Sequence, residues 1–361
     1  MKMRKIVCSF MISVVCFMTA ISGVSATSYD TSKINAAYSK VVEYYKNNNN
    51  LNNADKILAV ESLGLEAESN QFDTSSADLS STSLSKKIVT EVLLGVDPTE
   101  DKETLESQID ENGNVEGSWG ASSDVWTLYA LYVTSSEKTN LIANKLNDEL
   151  AASSVCGYEW GGTYYADYDT TGWVIEGLAV VNKEKYATTI NKAIDYIKKI
   201  TTMTTTGWVT ADNVDTQSQV LEGMFAYDAN ALLNDSYTVH PVDCLLNTQL
   251  SDGSFPSGYN AEYTTAEVAK TLGTYKNGSV IIKAKKAYDK MMNPEQPDNT
   301  KPAQPTDTKK DSQSTNKVET TNQKTTSVKT GDETNVVIFV SLSMVSGGLF
   351  LVLRKEYERA H

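Results

Sequence analysis

Apolar residues recur at helical spacing through most of residues 27–292, and they sort into two kinds of helix. The first kind carries a small residue followed by Leu or Met late in its apolar stripe: Ser62-Leu63, Ala130-Leu131, Gly177-Leu178, Gly223-Met224 and Thr271-Leu272. The last four pairs lie about 47 residues apart, the period of a helical hairpin with its loop. Trp126 and Trp173 stand in the same place in their helices, while Asp169, Asp215 and Tyr263 stand where theirs begin. A further helix of this kind, 84–94, stops at Gly95-Val96-Asp97-Pro98, where glycine allows a left-handed cap and proline forbids continuation. The second kind has a plainer stripe backed by Lys, Asn and Glu: 34–45, a short stretch near Leu105, 141–151, 186–200 and 242–250. The set rich in Trp, Tyr and small residues is expected inside and the plainer set outside. A small residue late in each inner helix would let backbones approach closely around a central axis. The predicted fold is all-α, an (α/α)6 toroid of repeated helical hairpins.

The densest unit is 159–178, E-W-G-G-T-Y-Y-A-D-Y-D-T-T-G-W-V-I-E-G-L: a Trp/Gly turn, a polar run, a capping Asp-Thr pair and an inner helix. Glycine–aromatic turns recur at Gly117-Ser118-Trp119, Trp160-Gly161-Gly162, Gly207-Trp208 and Asp252-Gly253-Ser254-Phe255. The glycine permits a tight bend, and the ring is expected to pack beside the next hairpin. With Gln249 the last turn reads Q-x-x-x-G-x-F, a QW-type motif, and here residues 30–290 resemble the prenyltransferase and squalene-cyclase repeat family. That resemblance implies a terpenoid-cyclase-like toroid and says little about activity.

The two ends add localisation. Residues 1–26 carry Lys2, Arg4 and Lys5, an apolar run, and Val24-Ser25-Ala26 before a cleavage point, as expected of a signal peptide. Residues 293–329 form a Pro/Thr/Lys-rich tract with too little apolar surface to fold, read as a disordered linker. Within the anchor region 330–361, residues 336–353 are an apolar run long enough for one transmembrane helix, followed by Arg354, Lys355 and Arg359, which place its C-terminus in the cytoplasm. This order, with Ser327-Val328-Lys329-Thr330-Gly331 before the span, resembles a Gram-positive surface protein sorted by a sortase, with Ser327-Val328 where that family has Leu-Pro. The resemblance implies Thr330 and Gly331 as the sorting site, with sortase and peptidoglycan as partners. An uncleaved single-pass membrane anchor is the alternative, and both readings place residues 27–292 on the extracellular surface, wall- or membrane-anchored. A formal charge of −14 without a basic stripe argues against nucleic acid. Once the signal has taken Cys8 and Cys16 away, Cys156 and Cys244 remain, either as a disulfide or as two thiols.

In such a toroid a ligand is expected over the N-termini of the inner helices, where free backbone N–H groups converge. The candidate ligand-binding residues are Trp160, Tyr164, Tyr165, Asp167, Asp169, Trp173, Glu176, Trp208, Asp215 and Tyr263, with Thr170, Gln217 and Thr264 nearby. Asp167-Tyr168-Asp169-Thr170 resembles the D-x-D-D acid of terpene cyclases with its last Asp replaced, and the plainer reading makes Asp169 and Asp215 helix N-caps. Were the chain an enzyme on glycans or isoprenoid-like lipids, its carboxylates would be Asp169, Asp215, Glu176 and Glu222, with Trp160 and Trp208 stacking on sugars. No catalytic set is complete: His240 and His361 are the only histidines, and no thioester, nucleophile elbow or phosphate loop is present. No metal or cofactor is expected. The sequence therefore points to a non-enzymatic surface binding or adhesion module for a glycan, small molecule or protein. A surface enzyme, or a carrier of a cobalamin-like ligand, are the alternatives.

Overall fold

The computed structural model describes residues 29–68, 72, 80–160, 163–201, 213–235, 237 and 239–294. The signal 1–26, the linker beyond residue 294, Thr330 and Gly331, the span 336–353 and Trp208 lie outside the described residues. Among those residues no helix is long and apolar enough to cross a membrane.

The chain is mostly helical. It runs α1 (Ser32–Asn47), α2 (Ala54–Ser62), α3 (Ser81–Leu93), α4 (Thr99–Ser107), α5 (Ala121–Val133) and α6 (Thr139–Ser153). A two-stranded antiparallel hairpin follows, β1 (Gly157–Trp160) and β2 (Thr163–Ala166), and then α7 (Tyr168–Thr201), α8 (Val214–Asn234), α9 (Pro241–Leu246), α10 (Ala261–Asn277) and α11 (Val280–Met292). Two of the helices contain a corner. Asn182 in α7 and Asp228 in α8 leave helical geometry, with φ/ψ of −164°/89° and −159°/89°. Their side chains accept the amides of Lys185 (3.0 Å) and Ala231 (2.9 Å), so each ends one helix and caps the next. Segment 168–181 thus serves as an inner helix and 183–201 as an outer one, matching the two stripes in the sequence.

Each member of the expected inner set packs on the next: α2 on α3, α3 on α5, α5 on α7, α7 on α8, α8 on α10, and α10 back on α2. Paired positions advance together along neighbouring helices. Gln219 and Glu222 of α8 meet Glu267 and Thr274 of α10, and Lys56 and Ser62 of α2 meet Glu262 and Ala269 of α10. α2, α8 and α10 therefore run parallel, as do α5 and α7 through Trp126–Trp173 and Tyr129–Glu176, and each group gathers its N-termini at one end. The small-Leu pairs lie inside, with Leu63, Leu131, Leu178, Met224 and Leu272 all buried. Of the outer set, α1 lies against α9 and α10, α4 against α3 and α5, and α6 against α5 and α7, while α9 stops at Leu246, short of the 242–250 expected.

The glycine–aromatic turns divide. Gly253, at φ +94°, lets Gln249 Nε2 donate to its carbonyl (3.1 Å) and to Ala37 of α1 (3.0 Å), while Phe255 is fully buried. Trp119 instead is 84% exposed, contrary to the packing expected of its ring. The sequence reading also leaves α11 unassigned. It packs across α3 and α5 through Val280, Ile281, Ala284 and Tyr288. Cys156 and Cys244 are both free thiols. His240 caps α9, its Nδ1 accepting the Val242 amide at 3.2 Å.

Candidate functional site

The repeat stacks its inward residues in layers. Taking the position before each small-Leu pair gives Tyr129, Glu176, Glu222 and Lys270; three residues earlier come Trp126, Trp173, Gln219 and Glu267; four earlier again come Ser122, Asp169, Asp215 and Tyr263. The last set lies nearest the N-terminal end.

The deepest layer is buried and polar. Lys270 lies 2.9 Å from Glu267 Oε2, which also accepts Gln219 Nε2 at 3.2 Å. Its ammonium faces the rings of Trp126 (5.4 Å) and Trp173 (5.9 Å), which meet edge-on at 5.8 Å. Burial pulls the Lys270 pKa down, but Glu267, Glu222 and Asp55 more than reverse this and hold it above the ordinary lysine range. Glu176 and Glu222 have raised pKa values, chiefly because burial disfavours their charged forms, with Lys270 only partly opposing this. The Tyr129 hydroxyl donates to Glu176 Oε2 at 3.0 Å, with the Trp173 carbonyl at 2.8 Å as its second acceptor. Thr274 Oγ1 stands 3.3 Å from Glu222. Sequence reasoning named Glu176 and Glu222 but not Lys270 or Glu267, although the repeat register points to both.

At the N-terminal end the expected caps shift by two residues. Asp167, not Asp169, caps α7, its carboxylate accepting the Thr170 amide (3.2 Å) and hydroxyl (2.6 Å). Asn213, not Asp215, caps α8, and Asn260 caps α10. Asp169 and Asp215 are thereby freed from the capping role assigned to them. Asp169 is pushed up to about 7, chiefly by burial and further by Asp167, Asp215 and Glu267, against a hydrogen bond from Thr216. Asp215 is pushed up to about 6 by burial and by Glu267, against the Tyr259 hydroxyl bond and Lys270.

Asp215 also lines a half-open cleft of about 250 Å³ with Asn213, Val214, Pro256, Ser257, Gly258, Tyr259 and Thr264. The Tyr259 hydroxyl donates to Asp215 Oδ2, while the residue is 66% exposed and its ring lies 6.3 Å from that of Tyr263. Tyr259 carried no signal beyond its Pro/Gly-rich loop, and sequence reasoning missed it.

The remaining candidates are dispersed. Tyr164 and Tyr165 lie exposed on β2, where Tyr164 donates to the Val155 carbonyl (2.9 Å) and Tyr165 stacks on Tyr158 (5.5 Å). Trp160 ends β1, paired with Thr163. The structure brings together Asp169, Asp215 and Tyr263 at the end of the cycle, and Trp173, Glu176 and Glu222 below them. The chain matches no family model, no curated protein and no solved structure.

The lifted carboxylates give a pH test. A carboxyl whose folded pKa exceeds its unfolded value costs stability as pH rises from the unfolded value of about 4 through the folded one. Asp169→Asn is accordingly expected to raise stability relative to wild type more at pH 8 than at pH 5 in urea titrations. An equal effect at both pH values would remove the desolvated-acid description.

Proposed function

We propose that residues 27–292 form an (α/α)6 toroid of the prenyltransferase and squalene-cyclase repeat kind and act as a binding module displayed on a Gram-positive surface. Export signal, polar tract and apolar segment with a basic tail support the display, and the closed sequence of inner-helix contacts supports the toroid. The observation that carries the binding role is the Asp215–Tyr259 cleft at the N-terminal end of the inner helices, beside a deep interior filled by the chain's own Lys270. At about 250 Å³ it falls below the ~300–1,000 Å³ of sites that engulf a drug-sized ligand, so it suits one group of a larger molecule better than a whole cobalamin-like cofactor. Glu176 and Glu222 do not line this cleft and are engaged with Tyr129 and Thr274, which weakens them as a catalytic pair.

The enzyme reading keeps one specific support: Asp169 at about 7 and Asp215 at about 6 lie in the range of a general acid. A glycan and metabolite binding screen on the full chain, run beside Tyr259→Ala, tests the module. We expect a ligand retained by wild type and lost by the variant with an unchanged thermal melt. A ligand held equally by both proteins removes the cleft from the reading, and turnover of a retained ligand that Asp215→Asn abolishes replaces the module by an enzyme.

A further inference from the structure

Resting on the cleft as the ligand seat, we propose that it takes an organic cation, a protonated amine or quaternary ammonium group, held by the Asp215 carboxylate under the Tyr259 ring. Elsewhere the fold already pairs ammonium groups with a carboxylate and an aromatic face. Lys86 lies 2.8 Å from Asp55 and over Trp126 (4.6 Å) and Tyr263 (6.0 Å). Lys270 lies 2.9 Å from Glu267 between Trp126 and Trp173, and Lys33 lies 2.9 Å from Asp243 over Tyr29 (5.6 Å). The cleft repeats the carboxylate and the ring without a lysine.

Asp215 is only 3% exposed, and its Oδ1 has no hydrogen-bond partner among the described residues. No ion pair reaches it among those residues. Among the charges near Asp215 are Glu267 and Asp55, paired with Lys270 and Lys86 respectively, and the neighbouring Asp169, which has no such partner among the ion pairs of the described residues. Carboxylates outnumber cations there, as they do in a chain of formal charge −14, so a cation is the complementary guest. An exposed aromatic face suits a weakly hydrated ammonium more than a compact inorganic ion.

The test is calorimetric titration of the full chain in detergent with choline and with its uncharged isostere 3,3-dimethylbutan-1-ol, on wild type, Asp215→Asn and Tyr259→Leu. Choline is expected to bind wild type about tenfold or more tightly than the isostere, and each substitution to weaken it by about tenfold. Its affinity should fall as pH drops from 7.5 to 5, because Asp215, with its pKa near 6, loses its charge on protonation. Should Asp215→Asn fail to fold, Tyr259→Leu on the loop carries the comparison. Equal binding of choline and the isostere, or a choline affinity untouched by both substitutions, overturns the proposal. If choline does not bind while a screened ligand is still lost in Tyr259→Ala, the cation assignment falls and the binding module stands. If no ligand of any class depends on Tyr259, both fall.

Discussion

Lys270→Met is expected to lower folding stability by about 3–5 kcal/mol, the usual cost of removing one partner from a buried pair. Methionine fills most of the volume, so the loss is electrostatic. Glu267 has no exposed surface, and without Lys270 its remaining side-chain partner on that oxygen among the described residues is Gln219. Glu176 and Glu222 lose the Lys270 charge that opposes their desolvation, so their pKa values rise further. Raised carboxyl pKa values make stability fall as pH rises above the unfolded carboxyl value, and the variant should lose more stability to rising pH than wild type does. Adding Glu267→Gln should recover much of the loss, because the pair is then replaced as a whole and no lone charge stays buried. Urea titrations of the two variants decide this. A single substitution costing under about 1 kcal/mol, or a double variant no better than the single, would mean that the Lys270–Glu267 contact carries little energy.

The inner and outer helices were legible because each hairpin repeats one stripe of small and apolar residues about every 47 positions. The same register lines up Tyr129, Glu176, Glu222 and Lys270, yet a lysine is by default assigned to solvent, since burial needs partners that only the assembled helices supply. The caps were misplaced for a local reason: Asp and Asn both cap well, and Asp167 competes with Asp169, as Asn213 does with Asp215. Tyr158 to Tyr165, with Gly161-Gly162 between alternating aromatic and polar residues, carries a hairpin signal that was absorbed into a turn. The stripe of α11 is an ordinary outer-helix stripe, and nothing local tells it to cross α3 and α5. Tyr259 reaches Asp215 across 44 residues, a contact that no helical periodicity encodes.

Where the backbones of α7 and α8 meet, alanine is expected to act as an overpacking residue. A Cβ at Gly223 would stand 2.2 Å from the Gly172 carbonyl oxygen, and one at Gly172 would stand 2.3 Å from that of Gln219. Neither obstacle is a side chain that can rotate away, so the helices must part, at about 1–3 kcal/mol for Gly223→Ala or Gly172→Ala despite alanine's better helix propensity. Gly273 closes the cycle in the same way, its Cβ position lying 2.5 Å from the Ser62 carbonyl of α2. Gly177 is the internal control: its nearest neighbour is the Leu128 Cδ2 at 3.2 Å, the end of a flexible side chain, and Gly177→Ala should be nearly neutral. Thermal melts of the four variants should therefore place Gly172, Gly223 and Gly273 together, several degrees below wild type, with Gly177 beside it, since ~1 kcal/mol moves Tm by about 2–4 °C in a domain of roughly this size. Four equal melts would mean that the small residues serve helix packing in general rather than the close approach of these particular backbones.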